Sequence, residues 1–176
     1  MLLLEPVTSS DLEERSLAGD AAAFGELIRE WDHDLRGVVW TVVRSAHATD
    51  SVMHSSYEKA FRNIHRFDGT TSLKTWLHTI CLRAAIDHAR ASSGHEDVDG
   101  QASPPFSSHA INLVPDSEEL DAVFDSLDRV EQLLLMLTAG LGYGFDETAT
   151  MVGIARSTVA SKAGRAREHL RTRGQS

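Results

Sequence analysis

Long stretches in which apolar residues recur every three to four positions alternate, along this chain, with short runs of glycine, acid and hydroxyl residues. Phe24, Leu27, Ile28, Trp31, Leu35, Val38, Val39 and Val42 fall on one stripe of 3.6-residue period, which predicts a long amphipathic helix. Before it, Ser10-x-x-Glu13 has capping-box spacing, so a short helix is expected to open there and end at Gly19-Asp20. Thr49 or Asp50 is expected to cap a third helix with Met53, Tyr57, Ala60, Phe61 and Ile64 inward. The loop Arg66-Phe67-Asp68-Gly69-Thr70-Thr71 breaks the period. Ser72 then caps a fourth helix, with Leu73, Trp76, Leu77, Ile80 and Ala84 inward, running to about Arg90.

From Ala91 to about Pro115 the period disappears into serine, glycine, proline and acid, the composition of a flexible linker. Ser117 opens a second helical unit. Leu127, Val130, Leu133, Leu134 and Leu137 mark one helix, which Gly140 and Gly142 end. Phe145, Thr148, Ala149 and Val152 mark a short one, and Gly153-Ile154-Ala155 a tight turn. Val159, Ala163, Ala166 and Leu170 mark the last. A short helix, a glycine turn and a longer basic helix form a helix-turn-helix pattern. The expected fold class is all-α: a four-helix N-terminal domain (1–90), a flexible acidic linker (91–116) and a C-terminal helix-turn-helix domain (117–176).

Composition changes this picture little; charge changes it more. With 6% aromatics against 41% apolar residues, the chain builds its cores from small aliphatics, which favours helices over a sandwich or barrel. Cys81 is the only cysteine, so no intramolecular disulfide can form, and no signal peptide or span precedes Glu5-Pro6; a cytoplasmic protein is expected. The net charge of −9 argues against a nucleic-acid partner until its distribution is read. Arg156, Lys162, Arg165, Arg167, Arg171 and Arg173 lie beyond Ile154 with only Glu168 against them, while acid gathers before Arg36 and between Glu96 and Asp128. The segments Glu5–Asp34 and Glu96–Asp121 are therefore expected to shield the basic helix in compact states of the free chain.

In the last helix Lys162 and Arg165 lie on one flank of the apolar stripe, Arg167 and Arg171 on the other, and Ser157, Ser161 and Gly164 opposite. A helix in the major groove needs this layout, with small hydroxyls at base edges and long cations reaching phosphates on both walls. A solvated basic C-terminal helix would carry the same cations.

Leu127 to Arg171 resembles the C-terminal domain of the extracytoplasmic-function group of bacterial sigma factors, through Phe145-Asp146-Glu147-Thr148-Ala149, Val152-Gly153-Ile154, Ser157-Thr158-Val159, Ser161-Lys162 and Arg165-Ala166-Arg167-Glu168-His169-Leu170-Arg171. Gly19-Asp20 with Ala23-Phe24, Ala60-Phe61-Arg62-Asn63-Ile64, Arg66-Phe67-Asp68-Gly69, Ser72-Leu73-Lys74-Thr75-Trp76-Leu77 and Ala85-Ile86-Asp87-His88-Ala89-Arg90 follow the same group's N-terminal domain in order and spacing. The resemblance implies a transcription initiation factor that brings core RNA polymerase to particular promoters, without catalysis or cofactor of its own. It implies polymerase binding by the third helix at Asp50, His54, Ser55 and Glu58. Arg66, Phe67, Lys74, Trp76, Arg83 and Arg90 would capture unstacked bases of the minus-ten element, where Phe67 and Trp76 offer stacking faces beside cations. Arg156, Ser157, Thr158, Ser161, Lys162, Arg165 and Arg167 would read the minus-thirty-five duplex. Factors of this group are typically held by an antagonist, an anti-sigma factor.

Three positions depart from the group's pattern. His54-Ser55 stands where a Gln and an acid are usual, Arg83 where an Asn is frequent, and Ala155 where a hydroxyl usually caps the recognition helix. The first keeps open an interaction protein that binds polymerase without supporting initiation; a helix-turn-helix regulator is the other alternative. His78-x-x-Cys81 has one-face helical spacing, but no second pair completes a four-ligand set, so no metal site is expected.

Overall fold

The computed structural model describes residues 8–92 and 124–173. Seven helices carry the fold: α1 (Ser9–Leu17), α2 (Ala21–Val43), α3 (Ala46–Arg62), α4 (Leu73–Ser92), α5 (Arg129–Leu135), α6 (Phe145–Val152) and α7 (Arg156–Arg173). A 3-10 turn at Ile64–Arg66 follows α3, and a π-turn at Met136–Gly140 prolongs α5. No strand occurs among the described residues, in keeping with the all-α expectation. Residues 93–123, with most of the expected linker and the expected start at Ser117, lie outside them.

The predicted stripe of α2 becomes the axis of the N-terminal half. Phe24, Leu27, Trp31, Leu35 and Val39 are buried against Met53 and Ala60 of α3 and Leu73, Leu77 and Cys81 of α4. Two caps fall elsewhere than the sequence pattern predicts. Thr8, not Ser10, caps α1, its hydroxyl accepting from the Asp11 N–H at 3.3 Å. Ser45, not Thr49 or Asp50, caps α3 and accepts from the Ala48 N–H at 3.3 Å. The cause of the second lies one residue earlier. Arg44 takes a left-handed conformation (φ 55) that ends α2, and the extended Ser45 then meets the first free N–H groups of the next helix. Thr49 is left buried on the inner face. Ser72 caps α4 as predicted, accepting from the Thr75 N–H at 3.0 Å.

On α4 the inward set is wider than the predicted stripe. Leu73 and Leu77 are buried and Trp76, Ile80 and Ala84 half-buried, but His78, Cys81, Leu82 and Ala85 are also fully enclosed. The helix is covered on two sides, by α2 and α3 and by the C-terminal half.

That second half is organised around α5. Asp128 and Glu131 form its capping box, with the Asp128 carboxylate accepting from the Glu131 N–H at 2.8 Å. Leu133, Leu134, Leu135, Met136 and Leu137 are buried in succession. They serve three separate contacts. Leu134 packs with Val159 and Ala163 of α7, Leu135 with Leu127 and Ala166, and Leu133, Met136 and Leu137 face the N-terminal half. There they meet Val38 of α2 and Leu82 of α4, together with Met151 of α6. The same contact carries Tyr143 against His78 and the Arg44 guanidinium 3.8 Å from Asp125.

Candidate nucleic-acid interface

The last helix is positioned from below and behind. Gly153 closes α6 in the left-handed region (φ 77), where a β-carbon would be strained, and its N–H donates to the Ala149 carbonyl at 2.9 Å. The chain turns through Ile154 and Ala155 into α7. Val159, Ala163 and Ala166 are buried beneath it, and Ser157, Thr158, Ser161 and Gly164 are exposed opposite. This is the predicted stripe and its predicted hydroxyl face.

The cations beside that face are mostly paired. Arg156 reaches Asp146 at 3.0 Å and stands 6.0 Å over the Phe145 ring, Lys162 reaches Asp128 at 3.1 Å, and Arg165 lies 3.9 Å from Glu131. Arg167 is exposed and has no ion-pair partner among the described residues. Burial raises the Asp128 carboxyl, but the Glu131 N–H and the Lys162 ammonium outweigh it and hold the group below the ordinary carboxylate range. Among the described residues, the acids that meet the helix come from its own half rather than from α1 or α2; Glu96–Asp121 lies outside those residues.

Ala155 offers no side-chain acceptor at the start of α7, and the Ser157 hydroxyl makes no hydrogen bond in its place; backbone bonds from the Thr158 and Val159 N–H groups to the Ala155 carbonyl begin the helix. Ala155→Ser should therefore stabilise the C-terminal half by about 1 kcal/mol. Thermal unfolding followed by circular dichroism checks this, and an unchanged midpoint would show that the first turn gains nothing from a hydroxyl.

The residues proposed for single-strand capture separate into three groups. Arg66 is exposed at the end of the 3-10 turn, beside Phe67 and Trp76, whose rings meet edge to face at 5.8 Å and 62°. Both rings are half-buried against the N-terminal core, so each offers one partly open surface. The following loop is stiffened by Asp68, which accepts from the Thr70 N–H at 3.0 Å and its hydroxyl at 2.8 Å; these bonds, the backbone one first, hold its carboxyl below the ordinary range. Lys74 turns to Asp34 of α2 instead of joining the rings. Arg83 and Arg90 stand two turns apart along the second half of α4, where with Asp87, Thr150 and Gly153 they line a cavity of about 270 Å³ against α6. The structure thus gathers Arg66, Phe67 and Trp76 and sets the other three apart.

Asp50, His54, Ser55 and Glu58 share one exposed face of α3. Asp50 pairs with Arg36, Glu58 with Arg62 at 3.1 Å and with the His54 ring at 3.3 Å, and the Ser55 hydroxyl donates to the Val52 carbonyl at 3.0 Å. Arg36, which also holds Asp32, belongs to this surface and was invisible in the sequence because it lies on a different helix. His78 and Cys81 do not converge on a common point. The His78 ring faces Tyr143, and burial pushes the Cys81 thiol up to about 12.

Comparison with known proteins adds to this geometry. Residues 27–94 match the family Sigma-70 region 2, and residues 117–170 match Sigma-70, region 4. The chain is 27% identical over 166 residues to the ECF RNA polymerase sigma factor SigM of Mycobacterium tuberculosis, covering 93% of this chain and 83% of that one. It is 28% identical over 180 residues to the ECF RNA polymerase sigma-E factor of Escherichia coli, covering 94% of each. Among solved structures, its fold is similar to the sigma factor RpoE bound to the anti-sigma factor NepR from Bartonella quintana, with TM-score 0.63 and 19% identity over 85% of this chain and 97% of that one. It is also similar to CnrH in complex with the cytosolic domain of CnrY, with TM-score 0.60 and 20% identity over 92% and 93%. No helix among the described residues is long and apolar enough to cross a membrane.

Proposed function

Because the chain belongs to the sigma-70 family, in its extracytoplasmic-function group, and is thus a transcription initiation factor, we propose that it reads promoters with two surfaces carried on separate domains. Residues 1–90 engage core RNA polymerase and the minus-ten element, residues 91–116 link, and residues 117–176 read the minus-thirty-five element. Polymerase contact falls to the α3 face at Asp50, His54, Ser55 and Glu58. Arg66, Phe67 and Trp76 hold unstacked bases by stacking and charge, and Arg83 and Arg90 guide the strand beyond them. Ser157, Thr158 and Ser161 meet base edges, while Arg156, Lys162, Arg165 and Arg167 reach phosphates. The protein takes no catalytic part and acts where the polymerase is, in the cytoplasm. An anti-sigma factor is its expected antagonist, as such partners are bound by the structurally similar RpoE.

One observation carries the reading most directly: the exposed hydroxyl face of α7, flanked by cations and set behind a left-handed glycine turn. Run-off transcription with core polymerase tests it, the expected result being promoter-selective transcripts that appear only when the protein is added. Polymerase binding without transcripts would favour the interaction-protein alternative. Duplex binding with no binding to polymerase and no transcripts would favour a plain helix-turn-helix regulator.

The α3 assignment has its own test. Asp50→Lys with Glu58→Lys should lower core-polymerase affinity by ten-fold or more, on the order of 1–3 kcal/mol for two reversed interfacial charges. Exposed pairs with Arg36 and Arg62 contribute little to folding, so helicity should persist. Unchanged affinity with helicity intact would place the polymerase contact elsewhere.

A further inference from the structure

The apolar contact between the two halves ends in a polar pair, a fully buried histidine and a half-buried tyrosine. His78 has no exposed surface. Its Nδ1 lies 3.0 Å from the Lys74 carbonyl oxygen and 2.8 Å from the Tyr143 hydroxyl, and the two rings meet edge-on at 5.6 Å. Tyr143 belongs to the other half, in the segment between the π-turn and α6. Nε2 is buried without a hydrogen-bond partner among the described residues.

A proton on Nδ1 serves both of its neighbours and leaves Nε2 a bare lone pair. A second proton has only Nε2 to occupy, where it would bury a charged donor facing no acceptor. The charged groups around the pair are Lys74 on α4, its partner Asp34 on α2, and Glu147 on α6 beside Tyr143. Burial is the largest influence on His78 and works against the imidazolium; the Lys74 carbonyl and Asp34 favour it and the Lys74 ammonium opposes it, leaving the pKa at about 4.

The closed packing conflicts with promoter reading. Elements centred near minus ten and minus thirty-five lie about 25 base pairs apart, roughly 85 Å at 3.4 Å per step. Halves that touch through His78 and Tyr143 cannot occupy both. The intervening residues 93–123 are long enough to let them part, reaching about 100 Å when fully extended.

We infer that the His78–Tyr143 contact is an acid-sensitive latch: a proton taken up by His78 releases the C-terminal half from α2 and α4 and opens the chain. The need for opening rests on the promoter reading; the latch itself does not. The sign follows from which state tolerates the charge. The closed state requires neutral His78, so its advantage is complete above the ordinary histidine value of about 6.5 and is lost as pH falls towards about 4. At pH 5.5 the open-to-closed ratio should exceed its neutral value by about ten-fold.

Single-molecule energy transfer between dyes at R62C and T172C reads this ratio in the whole chain, since Cys81 is buried and unreactive. The low-transfer population should grow about ten-fold between pH 7.5 and 5.5 at constant ionic strength, with helicity unchanged. H78Q should abolish the response. A wild-type response that is absent, or that H78Q retains in full, overturns the latch. Should H78Q fold poorly, nuclear magnetic resonance of the unmodified chain decides: the His78 ring must titrate well below the ordinary histidine value, and titration at that value overturns the proposal. Neither readout involves polymerase or promoter, so a failed latch leaves the promoter reading standing.

Discussion

Leu134→Ala should lower the stability of the C-terminal half by about 2–5 kcal/mol, the range for removing a fully enclosed leucine. The site cannot relax cheaply. Leu134 fills the space beneath Val159 and Ala163 of α7, with Phe145, Ala149 and Val152 closing the sides. The backbone that would have to move to fill the cavity is the same backbone that aims Ser157, Ser161 and Arg165 outward. Minus-thirty-five binding should therefore fall with stability, while polymerase binding through α3 persists. Urea unfolding gives the first quantity and a pull-down with core polymerase the second. A change below 1 kcal/mol would mean that α7 rests on other contacts.

Replacing Lys162 and Arg165 with Ala should cost binding to minus-thirty-five duplex one to two orders of magnitude at low salt. It should also flatten the dependence of log affinity on log salt by about two, one for each phosphate contact. The effect on folding should be small, because both cations pair with Asp128 and Glu131 near the surface, where such pairs contribute about 0–1 kcal/mol. Two carboxylates lose their cations in this variant and then face the phosphate backbone, which adds repulsion to the lost attraction. Fluorescence anisotropy from 50 to 200 mM salt separates the two readings. An unaltered slope would make Lys162 and Arg165 ordinary solvated side chains.

What could be read from sequence was what one face of one element determines. The α2 stripe, the Ser72 cap and the buried row of α7 each depend on local spacing, and each stands where its period predicts. The local pattern misleads where a neighbouring element decides. Thr49 looks like a cap until the left-handed Arg44 brings Ser45 forward to serve α3 first. His78 and Leu82 lie outside the inward set that the α4 period predicts, because the surface that encloses them arrives from residues beyond 124. The site divides in the same way. Hydroxyls opposite a buried row could be found from periodicity. That Lys74 turns to Asp34, and that Arg156, Lys162 and Arg165 meet acids of their own half, depends on helices crossing and leaves no trace in spacing.

The unbroken buried run from Leu133 to Leu137 has a bearing on how such a protein diverges. Those five side chains are divided among three sets of neighbours, so drift along the run is checked from several directions at once. Ser157, Thr158, Ser161 and Gly164 answer to none of those buried clusters. On the proposed promoter reading, Ser157, Thr158 and Ser161 can change, and with them the promoters that are read, without disturbing the scaffold beneath.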